Sequence, residues 1–228
     1  MSTNIAEKNP KISIIDYGLG NLFSVQQACE HVGLRTHITH DKKFILSSDA
    51  VILPGVGAFG DAMKNLTSLG LVDSIREFAE SGKPLLGICL GMQLLFSKSW
   101  EFGFHEGLKI ISGEVVRIPN ETNGKGKLRI PHISWSKIFD NKPVSNWIHT
   151  PLHEVALNSF MYFVHSFYVK PDCSENILCL TDYEGFEFCS GVKKGNVYAF
   201  QFHPEKSGKI GLKIYENFKN LIHQCASE

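Results

Sequence analysis

Several features that mark particular classes of protein are missing from this sequence. None of its six cysteines stands three positions from another, so the C-x-x-C spacing of zinc and redox sites is absent. A surplus of either charge is missing as well, because 23 basic residues balance 23 acidic ones, and we expect no nucleic-acid partner. No uninterrupted apolar run approaches the length needed to cross a bilayer, so we expect no membrane partner.

An apolar leader is also missing, since the opening residues MSTNIAEKNPK are mostly polar. We expect residues 1–10 to form a flexible tail and residues 11–228 to form one domain, because 228 residues suit a single large α/β domain. Without a secretory signal the cysteines are expected to stay reduced, which predicts a cytoplasmic protein. The hydrophobic share of 43% is ample for a core.

The first half of the chain alternates short apolar runs with helical patterns. Strands are predicted over 11–16, 34–40, 49–54 and 85–88. Helices are predicted over 22–32 and in LVDSIREFAESGKP (71–84), where Gly82 and Pro84 close the pattern. Strands that alternate with helices indicate a parallel sheet with right-handed crossovers.

The second half, after about residue 108, is richer in strand patterns. Apolar runs predict strands over 107–119, 162–169, 175–183 and 186–202, with a hairpin turn at KKGN (193–196). The last segment, 209–224, predicts a helix whose inward face holds Ile210, Ile214, Tyr215, Phe218, Leu221 and Ile222. We therefore predict an α/β fold, a single domain with a central, mostly parallel sheet flanked by helices, plus late antiparallel strands.

The stretch LLGICLGMQLLF (85–96) places a cysteine where a predicted strand turns into a predicted helix. Cys89 stands between Gly87 and Gly91, and this frame is typical of a nucleophile elbow, a strained turn that exposes a reactive side chain. From Leu90 onward the pattern favours helix, with Ser97 on the same helical face. The frame is equally compatible with a buried structural cysteine, so a catalytic role depends on partners elsewhere in the chain.

A suitable base follows the last predicted strand, in QFHPEKSG (201–208). Residues two apart in an extended segment point to the same side, so His203 and Glu205 would share a face. Glu205 could then accept from one ring nitrogen of His203 and leave the other for the sulfur of Cys89. A protonated His203 would favour the thiolate. Alone, the pair is compatible with a structural histidine and a helix-terminal charge, but elbow and base together indicate nucleophilic catalysis.

Attack of a thiolate on a carbonyl passes through a tetrahedral oxyanion, which requires positioned N–H donors. The backbone N–H of Leu90, directly after the nucleophile, is predicted to be one donor. The glycine-rich loop PGVGAFG (54–60) follows the third strand, and the N–H of Val56 is our candidate for the second donor. An ordinary turn between strand and helix would explain the same loop equally well.

These motifs together resemble the class I glutamine amidotransferases, on the combination of GICLGMQ with a later FHPEKS. Within that family, DYGLGN, LPGVGAFGDAM, IPHISW, YFVHSFY and QFHPEKSG are similar to the glutaminase subunits of imidazole glycerol phosphate synthases, from about Lys11 to the final helix. The resemblance implies hydrolysis of L-glutamine to glutamate and ammonia, with no metal and no organic cofactor. It implies Cys89 as nucleophile and His203, oriented by Glu205, as acid and base.

A substrate site and a partner are implied as well. The substrate-binding residues would be Gly55, Gly57, Gln93, Ser166 and Phe167, where Gln93 acts through its side chain and the others act through backbone. Ammonia would pass to a separate (β/α)₈-barrel synthase subunit, in a heterodimer that forms imidazole glycerol phosphate for histidine biosynthesis and stimulates the glutaminase. His165 matches a family histidine and is equally compatible with a packed core residue.

Departures from the family pattern leave the ammonia acceptor open. Ser134 and Ser136 stand where the family usually has glycine and asparagine, and the segments around Cys189 and in EFGFHEGL are less typical. The alternative is a paralogous glutaminase that supplies ammonia for amidation of a surface-sugar precursor. Two further readings are disfavoured: peptidase-like hydrolases usually carry histidine where this chain has Leu90, and a binding-only subunit would not need a complete triad.

Overall fold

The structure, a computed structural model, describes residues 10–122, 126–140 and 147–225. The predicted tail, residues 1–10, lies outside the described residues apart from Pro10. Across the described ranges, no helix combines the length and the apolar character that a membrane crossing requires.

The elements up to the cysteine turn and the short helix after it are, in chain order, β1 (Ile12–Ile15), α1 (Leu22–His31), β2 (Thr36–Thr39), α2 (Lys42–Leu46), β3 (Ala50–Leu53), α3 (Phe59–Ser68), α4 (Leu71–Glu80), β4 (Leu85–Ile88) and α5 (Leu90–Leu94). The later elements are β5 (Phe96–Ser99), β6 (His105–Glu106), β7 (Ile111–Arg117), β8 (Glu121–Thr122), β9 (Gly126–Lys127), β10 (His132–Phe139), β11 (Phe160–His165), β12 (Phe167–Pro171), β13 (Ile177–Tyr183), β14 (Phe186–Lys194), β15 (Val197–Phe200) and α6 (Gly208–Cys225).

The central sheet has a parallel part and an antiparallel part. Its parallel part has the strand order β2-β1-β3-β4-β15, and the apolar runs of β3 and β4 are fully buried, as expected for strands covered on both faces. β14 joins β15 antiparallel, and β12, β7, β5 and β6 extend the sheet further. β10 pairs with β11 and β13. The predicted fold class is confirmed.

Two hydrophobic clusters lie on the two faces of the parallel strands. Ile12 and Ile14 of β1 belong to the cluster that contains the buried faces of α1 and α6. Ile15, which points to the opposite side of the strand, belongs to the cluster with α3 and α4. Each fully buried aliphatic side chain contributes about 1.5–3 kcal/mol of stability. Packing on both faces therefore holds the carboxyl ends of β3, β4 and β15 in a rigid frame.

The last helix differs from its predicted inward face at one position. Ile210 is 40% exposed, whereas the other residues predicted on that face are buried. A Cβ atom on Gly211 would collide with the carbonyl oxygen of Pro204, so the helix packs closely by this glycine. Ile210 lies about 100° around the helix from Gly211 and falls at the margin of the buried face. The prediction for Ile210 is therefore wrong.

The helix after the cysteine is shorter than its sequence pattern predicts. α5 ends at Leu94, and β5 begins at Phe96 and pairs with both β7 and β6. Ser97 thus lies in a strand, and the prediction that the helix includes it is wrong. Pairing within the sheet overrides a helical preference that is weak over so few residues.

Candidate active site

Cys89 occupies a strained turn at the carboxyl end of β4. Its backbone has φ 54° and ψ −110°, a region that residues other than glycine rarely adopt. The backbone N–H of Cys89 donates to the carbonyl of Phe200 at 2.8 Å, which continues the ladder between β4 and β15 by one step. The side chain is thereby turned out of the sheet at the place where the neighbouring strands also end.

The two glycines that flank the cysteine are required by close packing. A Cβ atom on Gly91 would collide with the carbonyl oxygen of Leu53 at the end of β3. A Cβ atom on Gly87 would lie 2.9 Å from the Cβ atom of Ala199 on β15. Because both neighbours belong to paired strands, neither can move aside cheaply, and the turn accepts only glycine at these positions.

His203 and Glu205 form a buried pair beside this turn. Nδ1 of His203 lies 2.7 Å from Oε1 of Glu205, and the two side chains are only 2% and 1% exposed. The backbone N–H of His203 donates to the carbonyl of Tyr162 at 2.9 Å, and the Ser207 hydroxyl donates to the His203 carbonyl at 2.7 Å. These bonds fix the base relative to β11.

The backbone conformation that brings His203 and Glu205 together differs from the one predicted from the sequence. Residues Pro204–Lys206 form a 3₁₀ turn, so the expectation that 203–205 is an extended segment is wrong. Pro204 opens the turn, since its fixed φ suits the first position of a helical turn and it has no N–H to leave unpaired. The tight turn then brings the Glu205 carboxylate back to the His203 ring.

The other polar atoms of the pair have no partner within the described part of the chain, namely Nε2 of His203 and Oε2 of Glu205. Burial lowers the pKa of His203, but its interactions with the Cys89 thiol and the Glu205 carboxylate outweigh burial and raise that pKa to about 10. At neutral pH the ring is therefore a cation beside the sulfur.

A cavity of about 330 Å³ opens in front of Cys89 and His203. Its lining residues come from the segments that follow β3, β4, β5 and β15, from the residue before β10 and from the boundary between β11 and β12. They are Val56, Gly57, Cys89, Leu90, Gln93, Glu101, Pro131, Val164, His165, Ser166, Phe167 and His203. The strand predicted over 162–169 is divided at Ser166, which places Ser166 and Phe167 at the cavity. Of the substrate-binding residues predicted from the sequence, Gly55 is the one that does not line the cavity.

Gln93 belongs to a buried polar network that reaches the sulfur. Its Nε2 donates to the carbonyl of Phe167 at 3.0 Å and to Oε1 of Gln201 at 3.0 Å. Nε2 of Gln201 in turn lies 3.7 Å from the sulfur of Cys89 and donates toward it. Gln201 was not predicted as a site residue, although it directly precedes the FHPE motif, because its residue type carries no catalytic signal of its own.

Glu101 is a second residue that the sequence did not reveal. Its side chain lines the cavity, and its Oε2 accepts a hydrogen bond of 2.6 Å from the backbone N–H of Phe59 at the start of α3. Burial raises the pKa of this carboxyl, while the bond from Phe59 acts in the opposite direction. No motif surrounds Glu101 in the sequence, and only the pairing of β5 with β7 brings it to the cavity.

The predicted oxyanion donors do not converge in this structure. The N–H of Leu90 donates to the carbonyl of Gly55 at 3.3 Å. Because a trans peptide holds its C=O and the following N–H on opposite sides, the N–H of Val56 points away from Leu90. The loop is anchored in this arrangement by Tyr17, whose hydroxyl donates to the carbonyl of Pro54 at 2.9 Å.

Metal chemistry has no evident ligand set, since the described ranges contain no cluster of three or more His, Cys, Asp or Glu side chains arranged to hold an ion. The arrangement instead provides a nucleophile, an oriented base and a cavity beside them. Such a set can attack an amide or ester carbon and form a thioester.

Comparison with known proteins identifies relatives over nearly the whole chain. The family model described as "Glutamine amidotransferase class-I" matches residues 13–221. The chain is 46% identical over 210 residues to "Imidazole glycerol phosphate synthase subunit HisH 1" of Legionella pneumophila (strain Lens), covering 92% of this chain and 99% of that protein. It is 50% identical over 215 residues to "Imidazole glycerol phosphate synthase subunit HisH" of Aquifex aeolicus (strain VF5), covering 94% of this chain and 98% of that protein.

Solved structures share the fold at lower sequence identity. A chain described as a glutamine amidotransferase superposes with a TM-score of 0.69 at 18% identity, covering 92% of this chain and 98% of the other. A chain of PurLQS from Thermotoga maritima superposes with a TM-score of 0.68 at 21% identity, covering 93% and 99%.

Proposed function

Since the chain belongs to the class I glutamine amidotransferase family, we propose that it is the glutaminase subunit of an imidazole glycerol phosphate synthase and works through Cys89, His203 and Glu205. It is an enzyme that hydrolyses L-glutamine and donates the ammonia to a synthase reaction in histidine biosynthesis. The observation that carries the proposal is the buried 2.7 Å contact of His203 with Glu205 next to the cysteine turn. Relatives named as this subunit, at 46–50% identity over more than nine-tenths of the chain, support it.

The chemistry follows from the arrangement of the three side chains. The Cys89 thiolate attacks the side-chain amide carbon of glutamine, and the tetrahedral oxyanion collapses to a thioester as protonated His203 gives its proton to the departing ammonia. Neutral His203 then takes a proton from water, which attacks the thioester and releases glutamate. Glu205 holds the ring in the orientation that leaves Nε2 free and stabilises the cation.

We assign the substrate contacts to polar groups of the cavity that are not already used in hydrogen bonds within the protein. Gln93 uses its Nε2 on protein acceptors, so its Oε1 remains to accept from the α-ammonium group of glutamine. Glu101 lines the cavity, and its carboxylate supplies the negative charge for that ammonium. A carboxylate can only accept hydrogen bonds, so Ser166 and Phe167 would bind the α-carboxylate through donors, while their carbonyls accept from Ile118 and Gln93.

The oxyanion donors are assembled by a change in the loop after β3. Rotation of the peptide between Gly55 and Val56 would release the N–H of Leu90 and turn the N–H of Val56 toward it, which gives the two donors that the transition state needs. The isolated chain is therefore slow, and a partner that favours the rotated peptide stimulates it. Gly55 suits this role because it has no side chain to obstruct the rotation.

The synthase partner docks on the outer face of β10 and β11. Ile133, Trp135 and Phe160 are 57%, 50% and 49% exposed on these paired strands, and exposed apolar side chains grouped in this way are typical of protein interfaces. The same strands carry Val164, which lines the cavity, and the Tyr162 carbonyl that holds His203. A (β/α)₈-barrel subunit bound here as a heterodimer lies close to the site of ammonia release.

The surface-sugar alternative is not favoured, because the relatives at 46–50% identity carry the name of the imidazole glycerol phosphate synthase subunit. The test of the proposal is glutamate release from glutamine, measured with the isolated chain and again with a cognate barrel subunit and its synthase ligand. We expect slow release alone and much faster release in the complex. Equal rates, or no glutamine-dependent glutamate in either case, would contradict the proposal.

A further inference from the structure

We propose that Ser136, His132 and His165 form a relay of positioning residues that fixes how Gln93 presents its amide oxygen to the substrate. The relay itself is a property of the fold, whereas the identity of the substrate rests on the proposed function. The three side chains are buried, and two of them, Ser136 and His132, lie on β10 while His165 ends β11.

The contacts of the relay are short and continuous. The Ser136 hydroxyl lies 2.9 Å from Nε2 of His132, Nδ1 of His132 lies 2.9 Å from Nε2 of His165, and Nδ1 of His165 lies 2.9 Å from the carbonyl oxygen of Phe167. Phe167 is also the residue whose carbonyl accepts from Gln93 at 3.0 Å. A single row of hydrogen bonds therefore joins β10 to the glutamine cavity.

The direction of every bond in the row follows from its last member. A carbonyl oxygen can only accept, so Nδ1 of His165 carries the proton. Because a neutral ring has one N–H, Nε2 of His165 accepts from Nδ1 of His132, and Nε2 of His132 accepts from the Ser136 hydroxyl. Burial lowers the pKa of His165 to about 3 and that of His132 to about 4, which keeps both rings neutral at working pH.

The His132 ring is held against rotation by its neighbours. His132 is stacked between Phe163, at a centroid distance of 5.0 Å, and Tyr183, at 4.0 Å. A ring held in this way cannot turn to exchange its two nitrogens without disrupting aromatic packing. The row thus has one stable direction, from the Ser136 hydroxyl to the Phe167 carbonyl.

The row fixes the position of the Phe167 carbonyl, against which the Gln93 amide is oriented. The Phe167 carbonyl is fixed by His165, and Gln93 must direct Nε2 toward that oxygen and toward Oε1 of Gln201. An inverted Gln93 amide would place oxygen against two acceptors. The relay consequently holds Oε1 of Gln93 ready to accept from the substrate, without touching the substrate itself.

The first experiment replaces the Ser136 donor while the rest of the row stays in place. We expect Ser136→Ala to raise the KM for glutamine about threefold to tenfold, the range for one neutral hydrogen bond, with kcat within about twofold. Ser136→Thr keeps the hydroxyl and should restore the KM. Ser134→Ala is the matched control, since Ser134 lies on the same strand but its hydroxyl donates to the Trp135 carbonyl at 3.3 Å. An unchanged KM in Ser136→Ala, or an equal change in Ser134→Ala, would overturn the proposal.

The second experiment separates recognition from reactivity of the sulfur. A chloroketone analogue of glutamine carries the α-groups of the substrate, whereas iodoacetamide does not. Ser136→Ala should slow inactivation by the chloroketone about threefold to tenfold and leave inactivation by iodoacetamide unchanged. Equal slowing with both reagents would overturn the positioning role. Failure of both reagents to inactivate even the unsubstituted chain would instead contradict the proposed function.

The third experiment requires no variant and tests the relay directly. Nitrogen NMR of the chain labelled at histidine should show His132 and His165 as neutral rings protonated at Nδ1 between pH 6 and pH 8. This is the range in which an ordinary histidine changes its charge. Detection of an Nε2–H tautomer or of a cationic ring at either residue would overturn the proposal. This result is independent of the identity of the substrate.

Discussion

The two halves of the active site differ in how completely they are assembled. The triad half is fixed: Cys89 is held by flanking glycines that accept no side chain, and His203 and Glu205 are buried in contact at 2.7 Å. The oxyanion half is not, because the N–H of Leu90 is bonded to the Gly55 carbonyl. In the proposed mechanism, nucleophile activation is therefore a permanent property of the fold, whereas transition-state stabilisation would depend on the state of one peptide.

This difference suits an enzyme that supplies a reactive product to a partner. If both halves were permanently assembled, glutamine would be hydrolysed whether or not ammonia could be used. A single peptide rotation is a small change, and the loop that contains it follows β3, next to the cysteine turn. Under the proposed rotation, the free-energy difference between the two peptide states would set how much activity the isolated chain retains, since 1.4 kcal/mol corresponds to a tenfold change in population.

The largest effect is expected from a change in the fixed half. Glu205→Gln removes the carboxylate that orients and stabilises protonated His203, and we expect kcat to fall about a hundredfold or more. The loss should be the same with and without the partner, because the triad does not depend on peptide rotation. The exposed Glu216→Gln serves as the control. Full activity of a folded Glu205→Gln protein would contradict the role of the pair.

A smaller effect is expected from Glu101, which lines the cavity and accepts from the N–H of Phe59. Glu101→Gln removes the charge offered to the substrate ammonium but keeps an oxygen that can accept from the N–H of Phe59. We expect the KM for glutamine to rise about tenfold to a hundredfold, the range for a charge-assisted hydrogen bond, with kcat changed far less. Steady-state kinetics of the complex would measure both constants. A fall in kcat at unchanged KM would show that Glu101 acts on the loop instead.

The smallest effect is expected from loosening the unassembled half. Tyr17→Phe removes the hydroxyl that anchors the Pro54 carbonyl, a bond worth about 0.5–1.5 kcal/mol. We expect glutamine hydrolysis by the isolated chain to rise about twofold to tenfold and the factor of stimulation by the partner to fall. Tyr183→Phe is the matched control, because its hydroxyl donates to the Arg129 carbonyl at 2.9 Å, outside this loop. An unchanged factor of stimulation would argue against the anchor.

The same comparison explains which features the sequence could predict. The elbow depends on residues adjacent to Cys89, and the His203–Glu205 contact depends on two residues in one short turn, so local patterns indicated both partners of the pair. Even there the local conformation was wrong, because Pro204 favours a 3₁₀ turn over an extended segment.

Features that depend on distant residues were missed for a physical reason. The contact between Glu101 and Phe59 joins positions 42 apart in sequence, and Gln201 reaches Cys89 across the β4–β15 pair. Neither Glu101 nor Gln201 has a local pattern that would distinguish it from a surface residue. The direction of the peptide after Gly55 was also beyond prediction, because no local residue pattern in a glycine-rich loop specifies which way one peptide faces.

The central claim is that Cys89 serves to release ammonia from glutamine for a partner that consumes it. The most direct test is a Cys89→Ala variant in complex with its synthase subunit, with synthase product measured from glutamine and, separately, from ammonium salts at raised pH. We predict no product above background from glutamine and an ammonia-driven rate equal to that of the unsubstituted complex. A variant that still used glutamine well, or one that remained folded and bound but lost the ammonia-driven rate, would contradict the account.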